Sequence, residues 1–293
     1  MAHSQHRPET RRLYLESVRA FLSYAGVARE RWTLANVEAW RDHQRRQGIK
    51  PSTINTRLAA LRYASRRYAA LGHGPHFAGA VELLAVDHGK ARQALTVDQA
   101  RALVATTEPT DTAVKLRDRA LLVVALRTGL RRTELAQLGS STIERVGDAV
   151  RARVLQKGGT PLTITFDAEA WLVLADWARW LERQMRGPVG GFFRALRTTV
   201  ADEVAIGQPI APRGLWRIIT ERARAAGLRR VTTHTLRHTY YSMALASGVR
   251  PERVAASVGH RRLDQVMRYY TDLHADHDPV GGHLPALVAG RSR

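Results

Sequence analysis

Apolar residues recur at intervals of three and four along most of this chain, and only around residues 149 to 166 does the interval shorten to two. That pattern constrains the fold more than any other feature: helix faces must be buried against one another, with room for one small hairpin. Residues 9 to 25 place Leu13, Leu15, Val18, Phe21 and Leu22 ahead of Gly26, and Thr33 opens a second periodic stretch closing at Gly48. Pro51 and Ser52 start a third, with Ile54, Leu58 and Leu61 at i, i+4 and i+7, which runs to Gly72. Its polar face carries Arg57, Arg62, Arg66 and Arg67, read either as a solvated face or as contacts to a polyanion. Residues 112 to 128 set Leu116, Ala120, Leu121 and Val124 on one stripe, and Gly129 ends them. Residues 149 to 156 and 162 to 166 are strands flanking Lys157-Gly-Gly-Thr-Pro161, a hairpin turn. Further helices are expected over 168 to 184, 212 to 226, 234 to 247, 251 to 258 and 263 to 273. The fold class is therefore mainly α, with a small antiparallel β-sheet.

The helical segments fall into two groups. Residues 72 to 80 are rich in Gly and Pro, a short helical piece follows, and Asp87 to Ala94 is polar and unpatterned. Thr96 and Gln99 then form a capping box that starts afresh. The expected division is a helical domain over 9–86, a linker over 87–94, a second domain over 95–274 and a tail over 275–293. A chain of 293 residues accommodates two such units.

Composition narrows the function. No run of eighteen apolar residues is present and the first residues lack a signal-peptide stretch, so the expectation is a soluble, cytoplasmic protein with no membrane partner. Zero cysteines exclude disulfides, thiol catalysis and zinc fingers. A formal charge of +20 and a pI near 11.3 call for a polyanionic partner, nucleic acid foremost. The excess is nearly all arginine, which suits bidentate phosphate contact, although a GC-rich genome produces the same bias.

Five short patterns carry chemistry, and their order matters more than any one of them. Thr128-Gly-Leu-Arg131-Arg-Thr-Glu134 sets an arginine and a carboxylate three residues apart, just past the glycine that ends a buried helix. The hairpin Lys157 follows, then His234-Thr-Leu-Arg237-His238, Val258-Gly-His260 and Met267-Arg-Tyr269-Tyr270-Thr. This set resembles the tyrosine recombinases: phage integrases, Xer-type recombinases and their relatives. The resemblance covers nearly the whole chain. It implies a helical N-terminal core-binding (SAM-like) domain and a mostly helical catalytic domain that close as a C-shaped clamp around double-stranded DNA.

The resemblance also implies roles that the chemistry of phosphodiester transfer demands. Arg131 and Arg237 would clamp the non-bridging oxygens. Glu134 would orient the site, and as a first-turn carboxylate it also suits the helix dipole. Lys157 would protonate the leaving 5′-oxygen. His234 would be general base or phosphate partner, and His260 a second donor. The nucleophile would be Tyr269, nine residues past His260, with the adjacent Tyr270 as the alternative. No cofactor and no metal are expected. A metal pair at His234 and His238 is the rival reading of those imidazoles, disfavoured because no carboxylate lies nearby in sequence and Arg237 would repel a cation.

Recombinases of this type assemble as a tetramer on two sites and pass through a Holliday junction, alone or with a partner recombinase, in integration, excision, resolution or inversion. Gln156, where relatives commonly have glycine, departs from the pattern and bears on how the hairpin docks. The expectation is also that nothing before residue 9 is long enough for an arm-binding domain. Leu284-Pro-Ala-Leu-Val288 is either a disordered tail or a contact to a neighbouring protomer. Two rivals stand beside recombination: a type IB topoisomerase, and a recombinase-derived DNA-binding protein without catalysis.

Overall fold

The computed structural model describes residues 8–28, 31–86, 94–156, 158–185, 190–198, 204–259 and 266–267. It divides into two compact units, Met1–His88 and Gly89–Arg293.

The first unit is helical. Helices α1 (Pro8–Ala25), α2 (Leu34–Arg46) and α3 (Pro51–Ala70) pack around Phe21, Val37, Trp40, Ile54, Leu58 and Leu61. Thr33 caps α2 by accepting from the Asn36 backbone N–H, as its position ahead of the apolar period predicts. Leu13 and Leu15, read from the sequence as part of the buried stripe, remain 42% and 38% exposed, because the core residues of α1 lie in its C-terminal half. The short helical piece expected after residue 80 is not formed. Val81–Val86 is without regular structure and is fastened to α3, where the Asn55 side chain both donates to the Leu84 carbonyl (2.8 Å) and accepts from its N–H (2.9 Å). One side-chain amide thus satisfies both backbone polar groups of Leu84, which a helix would have satisfied internally. The α3 arginines also divide: Arg66 and Arg67 are exposed, while Arg57 bonds Gln44 and Arg62 bonds the Val81 carbonyl.

The second unit is built on α5 (Ala113–Thr128). Its buried residues include Ala120, Leu121, Leu122, Val123, Val124, Ala125 and Leu126, so apolar contact surrounds the helix and is not confined to the single stripe read from the sequence. At about 1.5–3 kcal/mol for each large apolar side chain buried, this helix is the main hydrophobic anchor of the unit. Around it lie α4 (Val97–Ala105), opened by the Thr96–Gln99 capping box, and α7 (Ala168–Met185), which buries Leu174, Trp177 and Leu181. Asp167 caps α7 through the Ala170 N–H (2.8 Å) and ties it to α5 through Arg127 (2.7 Å). A buried ion network of Arg117, Asp118 and Arg222 joins α5 to α8 (Pro212–Ala225).

Strands β2 (Ala149–Leu155) and β3 (Pro161–Phe166) pair antiparallel, with Val150, Ala152 and Val154 opposite Phe166, Ile164 and Leu162 on the buried face. Period-two alternation makes that register the one that buries all six. A third strand, β1 (Ile143–Val146), extends the sheet at the β2 edge, and a separate hairpin joins β4 (Arg194–Thr198) to β5 (Val204–Pro209). Neither was expected. A helix α6 (Arg132–Leu135) follows α5, and α9 (Thr233–Ala246) and α10 (Pro251–Ser257) complete the described elements. Among the described residues, no helix is long and apolar enough to cross a membrane.

Candidate active site

The site begins where α5 ends. Gly129 caps that helix in the left-handed region at φ +62°, a conformation that costs a side-chain-bearing residue energy. Its missing Cβ is also required by space, since a Cβ there would lie 2.5 Å from Cδ1 of Tyr240 on α9. The reversal at Gly129 and buried Leu130 delivers Arg131 as the residue before α6, with Glu134 one turn on. Glu134 is wholly buried. One of its carboxylate oxygens accepts from the Arg131 backbone N–H (2.7 Å) and the other from the Arg131 guanidinium (2.8 Å).

The second arginine arrives from α9, packed across α5. Arg237 is 3% exposed, and its Nη1 donates to the Gly129 carbonyl (2.7 Å) while standing 3.8 Å from the Glu134 carboxylate. Its Nη2 donates to the Val258 carbonyl (3.2 Å) and its Nε to the Tyr241 hydroxyl. Burial pulls the Arg237 guanidinium below its ordinary range; Tyr241 opposes this, Arg131 adds to it and Glu134 opposes it. Two guanidinium groups thus face one buried carboxylate, leaving a net positive charge of one, the complement of a phosphodiester monoanion.

The remaining predicted residues divide in two. His234 lies in the first turn of α9, exposed, with its ring 6.4 Å from that of His238, and no group of three or more metal-capable side chains occurs among the described residues. Lys157, His260, Tyr269 and Tyr270 lie outside the described residues. Their flanks are described. The Gln156 side chain donates to the Val258 carbonyl (2.9 Å), and Gly259, at φ +65°, leaves the space that side chain fills, since a Cβ there would lie 2.4 Å from Gln156 Oε1. The structure therefore brings together Arg131, Glu134 and Arg237, and pins the residue before Lys157 to the turn before His260.

Comparison with known proteins decides the family, because the phage integrase family pattern matches residues 93–277. The chain belongs to the phage integrase family. Among relatives of this integrase-family chain, a tyrosine recombinase of Synechococcus elongatus is 27% identical over 277 residues, spanning 89% of this chain and 84% of the relative. Tyrosine recombinase XerC of Chromohalobacter salexigens is 29% identical over 276 residues, spanning 90% and 84%. Solved structures of similar fold include a lambda integrase tetramer bound to a Holliday junction, with a TM-score of 0.69 at 17% identity over 95% of this chain and 76% of that one. XerH bound to its palindromic difH substrate in a post-cleavage complex gives 0.68 at 17% identity, over 90% and 76%. As a tyrosine recombinase, this member of the phage integrase family is an enzyme of DNA strand breakage and rejoining.

Two contacts in this phage integrase family member are not marked in the sequence by the motifs above. Tyr241 stands four residues past Arg237 on the same helix, so i, i+4 spacing was the available signal for its bond to the arginine. Gln156 was visible as a departure from the family pattern, but its long-range partner Val258 was not.

Proposed function

We propose that this chain recombines specific sites in double-stranded DNA through a 3′-phosphotyrosyl intermediate made by Tyr269. In the reaction, the Tyr269 hydroxyl oxygen bonds the scissile phosphorus, the bond from phosphorus to the 5′-oxygen breaks, and the phosphate stays esterified throughout. His234 and His260 serve the phosphate and the tyrosine proton, and Lys157 gives a proton to the departing 5′-oxygen. Arg131 and Arg237 hold the non-bridging oxygens, with Glu134 fixing the first and facing the second. The energy of the broken bond is kept in the phosphotyrosine, so rejoining needs neither a nucleotide nor a metal. Attack of the 5′-hydroxyl from a second site then yields a Holliday junction. On this reading the protein is soluble and cytoplasmic, both of its domains bind the duplex, and four protomers act on two sites.

The observation that carries the reading is the pair of arginines from α9 and the α5–α6 turn sharing one buried carboxylate. Such an arrangement costs desolvation that packing alone does not repay, and an anion bound against it is the direct compensation. The test is covalent capture from a pool of nicked duplexes with randomised half-sites. Wild type and Tyr270→Phe should form a protease-sensitive adduct and Tyr269→Phe none. An adduct that survives Tyr269→Phe moves the nucleophile to Tyr270, and capture by none of the three overturns catalysis. Relaxation of a plasmid lacking any captured sequence would point instead to topoisomerase action.

A further inference from the structure

We propose that Tyr241 is a positioning residue for Arg237, its phenol holding the guanidinium in the orientation that meets the scissile phosphate. The inference rests on the function proposed above and adds to the site a side chain that never touches DNA.

The geometry is specific. Tyr241 is 1% exposed, enclosed by Leu245, Val254, Ala255, Val258 and Val266. Its hydroxyl accepts from Arg237 Nε, and the guanidinium carbon stands 5.4 Å from its ring centroid. A guanidinium carries five N–H donors in a fixed plane, so fixing three of its nitrogens fixes the plane. Tyr241 takes Nε, the Gly129 carbonyl Nη1 and the Val258 carbonyl Nη2. The two carbonyls belong to backbone that any sequence would supply. The phenol is the side-chain member of the set, and it acts on the nitrogen nearest the aliphatic stem, where a small rotation swings both Nη atoms. Burial raises the Tyr241 phenol above its ordinary range while Arg237 pulls it partly back, so it stays a neutral hydroxyl that accepts from the cation. A phenylalanine would keep the ring and its packing and leave a buried cationic donor without that acceptor.

The test separates orientation from folding by changing the charge that Arg237 must meet. Wild type and Tyr241→Phe are compared in single-turnover cleavage of the duplex captured by wild type, and of the same duplex with a methylphosphonate at the scissile position, which carries no negative charge. Tyr241→Phe should cleave the phosphate on the order of tenfold to a hundredfold more slowly, with DNA affinity unchanged, and lose most of that deficit on the methylphosphonate. In an Arg237→Leu background on the methylphosphonate, adding Tyr241→Phe should change nothing. That double variant contains no buried unpaired cation, so it supplies the answer even if the single variant folds poorly. The Arg237 Nε–H resonance in a nitrogen-edited spectrum should exchange slowly with solvent in wild type and vanish in Tyr241→Phe. An equal deficit on both substrates, or a further loss in the Arg237→Leu background, overturns the positioning role while leaving recombination standing. Absence of any adduct with wild type overturns both.

Discussion

Replacing Glu134 by glutamine keeps the shape of the side chain and removes the charge that two arginines share. Glu134 is fully buried and Arg237 is 3% exposed, so the lost pairing cannot be replaced by water at Arg237. Breaking one partner of a buried pair costs about 3–5 kcal/mol. The Arg131 side chain is 30% exposed and recovers part of its share from solvent, which brings the expected loss to about 2–4 kcal/mol. For a unit of this size that lowers the melting temperature by about 4–16 °C. Thermal unfolding of the DNA-free protein followed by circular dichroism reads the effect. The sign of a second change is sharper: Arg237→Leu added to Glu134→Gln removes the stranded cation, so the double variant should melt above the Glu134→Gln single. A Glu134→Gln protein melting within about 2 °C of wild type, or a double variant less stable than the single, refutes the claim that this carboxylate holds the arginine pair.

Three further outcomes are expected. Gly129→Ala should destabilise the protein by about 2–4 kcal/mol in urea titration, since it combines a positive φ with a Cβ driven into the Tyr240 ring. Gln156→Ala removes the side-chain bond to Val258, so amides of the β2–β3 turn should exchange about two- to tenfold faster while those of α5 do not change. At alkaline pH the folded chain retains the Tyr241 proton that the unfolded chain releases from about pH 10, so this group's contribution is complete below pH 10 and is lost as pH rises through the raised folded value. Arg237, lowered by burial, acts in the opposite sense at still higher pH. Tyr241→Phe should therefore flatten the loss of stability as pH rises above about 10, measured by urea midpoints; an unchanged slope refutes the assignment.

What could be read from the sequence was what local chemistry writes. The Thr33 and Thr96 caps, the Gly129 stop and the β2–β3 alternation each depend on neighbours within a few residues, and each has its structural counterpart. Arg131 and Glu134, three apart, were legible for the same reason, whereas Arg237 joined them only through resemblance to a family. Hairpin β4–β5 was not legible: Arg-Ala-Leu-Arg-Thr and Val-Ala-Ile-Gly-Gln-Pro carry charge, Gly and Pro where strands usually show β-branched alternation. Val81–Val86 was misread because its apolar residues suit a helix, and the deciding partner, Asn55, stands 29 positions from Leu84. Tyr241 is marked in the sequence by no more than its i, i+4 spacing from Arg237, and packing shows that its hydroxyl meets the guanidinium.

The Val258 carbonyl accepts from Gln156 on one side and Arg237 on the other. It belongs to a single peptide plane, which can turn only about the ψ of Val258 and the φ of Gly259. A twist of that plane would release Gln156 and the Arg237 guanidinium in the same motion, so the end of β2 and the buried arginine are coupled through one amide. Whatever reorients that one amide therefore changes the orientation of the guanidinium and the anchorage of the strand end together.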